Sequence, residues 1–422
     1  MKRATIGLAV GLWLAGLAAR GAVAPLELKD GDRIVLVGST LIEREAESGY
    51  LETRIARRYP GRAITVRNLG WSGDTVAGAS RGKPNPRVDG FRDLVDHVAA
   101  LKPTVIVLGY GAVESFDGAG GLPAFAAGVD RLWAELSQTG ARVVVLTPPR
   151  QEKLGPPLPD PTAHNLDIAR YADLLKTEAA RRGAPCVDLF AAMAGDDPTN
   201  VVPWTTNGLH LAPAGYWMAS ALIAPAMSGP TAPGPVAPFV AVSVVIADGK
   251  ATATAAGAAV ADLLATPSGV KCRVTVDLLP EPPRPAATEP PTPLASRLRL
   301  LRVAGLAPGR YQLRVDGTPI AATGDAERWR QGIDVHLDAE IEQVEELRRH
   351  VVRKNLLYFH RWRPQNETYL FGFRKHEQGR NAAELAAFDP LVAAEEAEIV
   401  RLSRPVPRTY ELVRLPEGEV AR

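Results

Sequence analysis

From residue 25 to about 228 the chain repeats one pattern: a short run of aliphatic, largely β-branched residues, then a stretch whose apolar residues recur every three or four positions. The runs are Ile34–Val37, Ile64–Val66, Val105–Leu108, Val143–Leu146 and Cys186–Leu189. Between them, Tyr50, Leu51 and Ile55 mark one helix face, and Phe91, Leu94, Val95, Val98 and Leu101 a second. Phe125, Val129, Leu132, Trp133 and Leu136 mark a third; Ile168, Tyr171, Leu174 and Leu175 a fourth. Apolar runs without polar alternation are strands buried on both faces, and helices that return the chain between them make those strands parallel. The expected fold class is therefore α/β: a three-layer α/β/α sandwich around a parallel five-stranded sheet. Ligands of such sheets bind at the carboxyl ends of the strands, so the residues after each strand are the candidates for function.

At 422 residues two or three domains are expected. Residues 1–24 read as a signal peptide: Lys2 and Arg3, an apolar stretch from Ile6 to Leu17, then Ala22-Val23-Ala24 as a cleavage site. No other segment approaches the ~20 apolar residues of a membrane span. The expectation is an exported chain, periplasmic or secreted, with no membrane span after signal cleavage. Residues 25–228 are the first domain, and Gly229–Pro238 (GPTAPGPVAP) is a Pro/Gly linker. Residues 239–322 read as a small β-rich, sandwich-like module interrupted by a Pro-rich loop, Leu279–Pro293. Within it, Leu298–Val303 and Tyr311–Val315 around Pro308-Gly309 are expected to form a hairpin. Residues 323–422 read as a mostly helical C-terminal region, with Asp338 as a helix cap and Ile341, Val344, Leu347 and Val351 on one face. The formal net charge is +2 and no basic stretch interleaves with aromatics, which excludes a nucleic-acid footprint. Cys186 and Cys272 each fall in an apolar strand and read as unpaired thiols; no Cys/His spacing indicates a metal or other cofactor.

Four strand ends carry the residues of interest. The first leads into Gly38-Ser39-Thr40-Leu41, a glycine and two hydroxyls between strand and helix. The second leads into Asn68-Leu69-Gly70-Trp71-Ser72-Gly73-Asp74-Thr75, a glycine loop able to aim a backbone N–H at developing negative charge. The third leads into Leu108-Gly109-Tyr110-Gly111-Ala112-Val113-Glu114, and Asn207-Gly208-Leu209-His210 precedes the last helix of the domain. In order and spacing these segments resemble the sequence blocks of the SGNH (GDSL-like) hydrolase superfamily over residues 30–226. The longer chain resembles long exported SGNH-like proteins of planctomycete-type bacteria.

The resemblance implies an ester hydrolase that needs no cofactor, with a small-molecule or polysaccharide ester as substrate, including acyl groups on carbohydrate or cell-wall polymers. It places Gly73 as an oxyanion donor, His210 as the catalytic base and Thr40 at the nucleophile position, with Ser39 where the family has Asp. Val113 replaces the oxyanion Asn, and Asn207 replaces the Asp that orients the histidine. Loss of the charge behind a catalytic histidine costs about 10⁴ in the best-known triad, and loss of one oxyanion donor about 10²–10³. Glu114 and Asp74 follow their strands closely and are expected near substrate, and Glu43, Arg44 and Glu45 lie about one turn beyond Thr40. One of these carboxylates could orient His210 or activate water. The alternative is a catalytically silent SGNH fold that binds a ligand or partner, with carbohydrate as one possibility. The tail run Tyr358–His376 is rich in aromatics and arginines, suited to packing on another domain or to stacking on sugars.

Overall fold

Alternate residues of one strand face opposite layers of the first domain. Val105 and Val107 pack with Ile42, Leu51, Ile55, Tyr216 and Ile223. Ile106 and Leu108 pack with Leu94, Val98, Phe125, Leu132, Tyr171 and Leu175. A strand buried this completely needs helices on both sides, and the computed structural model, which describes residues 23–84, 87–194, 202–229, 240–285, 299–377 and 381–416, has them. Strands β1 (Arg33–Gly38), β2 (Thr65–Asn68), β3 (Val105–Gly109), β4 (Arg142–Leu146) and β5 (Cys186–Val187) form a parallel sheet in the order β2-β1-β3-β4-β5. Helices α1 (Thr40–Ser48), α2 (Tyr50–Arg58), α3 (Gly90–Ala100), α4 (Leu122–Ser137), α5 (Thr162–Arg181) and α6 (Pro213–Ile223) cover its two faces. This is the α/β/α sandwich expected from the sequence. Residues 1–22 of the expected leader, 230–238 of the linker and 286–293 of the Pro-rich stretch lie outside the described residues.

The β-rich module departs from the sequence reading in two ways. It consists of two sheets over a shared core that includes Val244, Val274, Val303, Leu313, Trp329 and Leu412. One sheet holds β6 (Val240–Ala247), β7 (Lys250–Ala256), β10 (Arg299–Ala304) and β13 (Ile333–Asp334). The other holds β8 (Ala258–Thr266), β9 (Gly269–Val276), β11 (Arg310–Val315), β12 (Thr318–Asp325) and β14 (Arg408–Arg414). The expected hairpin of Leu298–Val303 with Tyr311–Val315 does not form, because β10 and β11 belong to different sheets. Instead β10 runs parallel to β6, and β11 turns into β12 through Asp316-Gly317, both at positive φ, a two-residue hairpin turn. The module also extends beyond 239–322: β14 sits between β9 and β11, pairing Tyr410 with Cys272 and Leu412 with Leu313. Both cysteines are free thiols, Cys272 buried and Cys186 partly so.

Two helices of the C-terminal region, α7 (Asp338–Trp362) and α8 (Phe388–Ser403), pack on each other and on the first domain. Leu337, not Asp338, is the N-cap of α7, and Val344, Leu347 and Val351 are buried as the periodicity predicts. The contact surface lies along α1, α2 and the edge strand β2. There Lys354, fully buried, donates from Nζ to Glu52 Oε2 at 2.5 Å and to the Val66 carbonyl at 2.8 Å. Arg67 of β2 pairs with Glu396 of α8 at 2.5 Å. The open edge of the parallel sheet is thereby covered by charged and polar partners from the tail.

Beside this pair Glu45 is buried, and burial, reinforced by the Glu52 charge, pushes its carboxyl up to about 8 against an ordinary 4.5, although the Leu51 N–H pulls the other way. The folded chain thus keeps a proton that the unfolded chain releases. The stabilisation from that proton is fully present below about pH 4.5 and is lost as pH rises through about 8. Urea unfolding of the full chain should show stability falling between about pH 5 and 8, and Glu45→Gln should flatten that fall. A fall of equal size in the variant would remove Glu45 as its source.

Candidate active site

The end of β1 fits against β3 so closely that Gly38 admits no side chain: a Cβ there would lie 2.3 Å from the Gly109 carbonyl oxygen. The chain then turns directly into α1. Ser39 is buried, Thr40 is the first residue of the helix, and the backbone N–H of Gly73 donates to Thr40 Oγ1 at 3.2 Å. The glycine and the hydroxyl singled out from separate strand ends are therefore neighbours.

Asn68 fixes the second loop. Its Nδ2 donates to the Ile42 carbonyl at 2.6 Å and its Oδ1 accepts from Gly70 N at 2.8 Å. Gly70 presses on the backbone of Glu43, where a Cβ would meet Glu43 N at 2.2 Å, and Trp71 N reaches the Gly38 carbonyl at 3.0 Å. Gly73 turns the chain at φ +74, a left-handed value that glycine adopts without strain.

Asp74 and Glu114 do not line the site. Asp74 is fully buried, bound to Arg81 Nε at 2.7 Å and the Tyr110 hydroxyl at 3.2 Å. Glu114 accepts the N–H groups of Val76 and Gly111, each at 2.9 Å, and so ties the second loop to the third. Burial raises the Glu114 pKa, and these donors oppose the rise. Glu43 accepts the Ser72 N–H and pairs with Arg363, while Glu45 accepts the Leu51 N–H. Among the described residues none of these carboxylates bonds to His210, because each already serves a backbone amide, an arginine or both.

The histidine loop hangs from Glu152, whose carboxylate accepts Trp204 N at 2.9 Å, Thr205 N at 2.7 Å and the Thr205 hydroxyl at 2.5 Å. Within the loop, Asn207 Oδ1 accepts the backbone N–H of His210 at 2.9 Å and of Leu209 at 3.2 Å. Two donors on that side fix the oxygen there, so the amide NH₂ faces His210 Nδ1 at 3.1 Å. An amide nitrogen only donates, so Nδ1 must be the acceptor and the ring proton sits on Nε2. An aspartate in this place could accept from both amides and from Nδ1–H; asparagine selects the opposite tautomer. Partial burial, assisted by Arg44, holds the His210 pKa below its ordinary value, so the ring is neutral at pH 7.

Ser39, Thr40, Val113 and His210 line one cavity of about 150 Å³ at the carboxyl ends of the strands. Leu41, Ala112, Ile168, Leu211 and Tyr216 make most of the rest of its wall apolar, and Gln151 adds an amide. Phe116 and Leu209, both exposed, stand at its lip. No hydrogen bond joins His210 to either hydroxyl among the described residues, and the Val113 side chain offers no donor. A larger hollow of about 710 Å³, lined by Arg33, Thr104 and Arg142, lies at the opposite ends of the strands, away from these groups. Sequence reading did not single out Glu152 or Gln151, although both follow β4 within a few residues and the strand-end rule covers them. Among the described residues no group of three His, Cys, Asp or Glu side chains is placed to hold a metal ion.

Residues 31–218 match the GDSL-like Lipase/Acylhydrolase family. The fold as a whole resembles the solved structure of a gut microbial diltiazem-metabolizing enzyme, with 16% identity over 94% of this chain and 100% of that chain and a TM-score of 0.69. A lipase/acylhydrolase from Enterococcus faecalis is 22% identical over 46% of this chain and 93% of its own, with a TM-score of 0.36. An acetyl xylan esterase is 17% identical over 45% and 97%, with a TM-score of 0.37. No curated protein sequence matches the chain.

The asparagine orientation has a spectroscopic signature. Ring ¹⁵N shifts of His210 should show the proton on Nε2 at neutral pH, and Asn207→Asp should move it to Nδ1 and raise the histidine pKa. A wild-type ring already protonated on Nδ1 would contradict the hydrogen-bond assignment.

Proposed function

We propose that residues 31–218, a GDSL-like lipase/acylhydrolase domain of the SGNH superfamily, hydrolyse esters of small acyl groups, and that the protein does so after export, on acyl groups carried by a carbohydrate or cell-wall polymer. The observation that carries this reading is the meeting of Thr40 Oγ1 with the Gly73 N–H beside a cavity that also holds His210. A cavity of about 150 Å³ suits a small acyl group, with the alcohol portion at its mouth. There it meets Phe116 and Leu209.

In this reading Thr40 Oγ1 attacks the acyl carbon and the Gly73 N–H passes from the hydroxyl to the developing oxyanion. The hydroxyl proton goes to His210 Nε2 and from there to the leaving alcohol. Water then releases the acyl group from Thr40 by the same steps. The scheme requires Nε2 without its proton, the tautomer that Asn207 disfavours. With Val113 in place of an oxyanion donor as well, turnover should be slow.

The Asn207 orientation favours a second reading, in which the cavity binds a ligand and His210 Nε2–H serves as a hydrogen-bond donor to it. Hydrolysis of an aryl acetate separates the two. The hydrolase reading predicts turnover abolished by Thr40→Ala, strongly reduced by His210→Ala, little changed by Ser39→Ala, and raised by about 10²-fold or more by Asn207→Asp. Equal rates for wild type, Thr40→Ala and His210→Ala, with no gain from Asn207→Asp, would leave the binding reading.

A further inference from the structure

The turn that presents the Gly73 N–H is held from outside the first domain. Just beyond α7, the guanidinium carbon of Arg363 lies 3.6 Å from the ring centroid of Trp71, while Trp362 meets the same ring edge-on at 5.9 Å. Arg363 Nη1 donates to Glu43 Oε1 at 3.0 Å, and the second oxygen of that carboxylate accepts the Ser72 N–H. Four residues further along the tail, Glu367 pairs with Lys83 at 2.6 Å. The side chains of Arg363 and Glu43 retain only 20% and 24% of their exposure, so this is not a solvated surface pair.

Glu43 stands on α1, three residues after Thr40. Its carboxylate therefore joins the helix that carries the hydroxyl, the Trp71–Ser72–Gly73 turn and the C-terminal segment. The ends of the turn have backbone partners of their own, Trp71 N to the Gly38 carbonyl and Asp74 N to the Trp71 carbonyl. Among the described residues Ser72 N has only Glu43. Without the arginine, a carboxylate in this place would rotate toward water and release that amide.

We propose that Arg363 is a positioning residue for the active site, setting the Ser72–Gly73 turn, and hence the oxyanion N–H, through the carboxylate of Glu43. The catalytic consequence rests on the hydrolase reading; the mechanical one does not. The C-terminal segment on this account braces the turn from behind without lining the cavity. Its cover over Trp71 also means that this ring is not a free sugar-stacking surface.

Amide hydrogen exchange and ester turnover, both on the full chain, test the proposal. Arg363→Ala should speed exchange at Ser72 and Gly73 by tenfold or more while amides within α7 and β3 keep their protection. It should lower kcat by about tenfold or more with KM little changed, and Arg363→Lys should recover part of both effects. Unchanged exchange at Ser72 and Gly73 overturns the proposal, as does an unchanged kcat in a protein with measurable turnover. Should α7 itself lose protection in Arg363→Ala, Glu43→Ala decides, since it leaves the Arg363–Trp71 stack and the Lys83–Glu367 pair in place: faster exchange at Ser72 and Gly73 supports the proposal, and unchanged exchange overturns it. A wild type no faster than His210→Ala retires the hydrolase reading, and the exchange measurement still decides this one.

Discussion

The Val66 carbonyl lies on the edge strand of the parallel sheet, and the ammonium of Lys354 fills the place that another strand would take. A fully buried lysine is tolerated only with its charge matched, and Glu52 matches it. Removing either partner would strand a charge in the interior, so the two are mutually obligatory. Through this contact α7 becomes part of the first domain rather than an appendage to it. The reach of Arg363 to Glu43 depends on α7 staying there, and so does the cover over Trp71.

Four carboxylates around the cavity are already committed. Asp74 holds Arg81, Glu114 gathers two loop amides, Glu152 gathers three donors of the histidine loop, and Glu43 spans Ser72 and Arg363. These carboxylates build the loops that place Thr40, Gly73 and His210. None remains to do for His210 what an aspartate at position 207 would do. The site is thus rigidly constructed and chemically sparing, with one hydroxyl and one backbone donor in contact, and one imidazole whose proton faces outward from Asn207.

The first domain was legible in the sequence because its signal is local. A β-branched run such as Val105–Leu108 has no partly buried alternative, and the strand ends fell within a residue or two of the expected places. Residue identities at those ends were legible too, but not side-chain directions. Asp74 and Glu114 follow their strands within six residues, in the loops where ligand-binding groups are expected, yet point into the protein, and the sequence does not show that direction. The β-module was read less well because its pairing is non-local. A hairpin was expected across Pro308-Gly309, when the two-residue signals Asp248-Gly249 and Asp316-Gly317 were the ones that turned strands. The strand Arg408–Arg414 looked like the end of a helical tail, since a strand that pairs with residues far back along the chain leaves no trace of that in its own composition.

That strand has a consequence for the order in which the molecule can assemble. β14 lies between β9 and β11, roughly 130 residues after the end of β9, so the five-stranded sheet cannot close until the chain near residue 410 is present. Until then β9 and β11 each have a vacant edge, and their module is two fragments waiting for a shared neighbour. The first domain, with short-range βαβ connections, is under no such delay. β14 is thus a clasp: it joins two sheet pieces into one and anchors the chain just beyond α8.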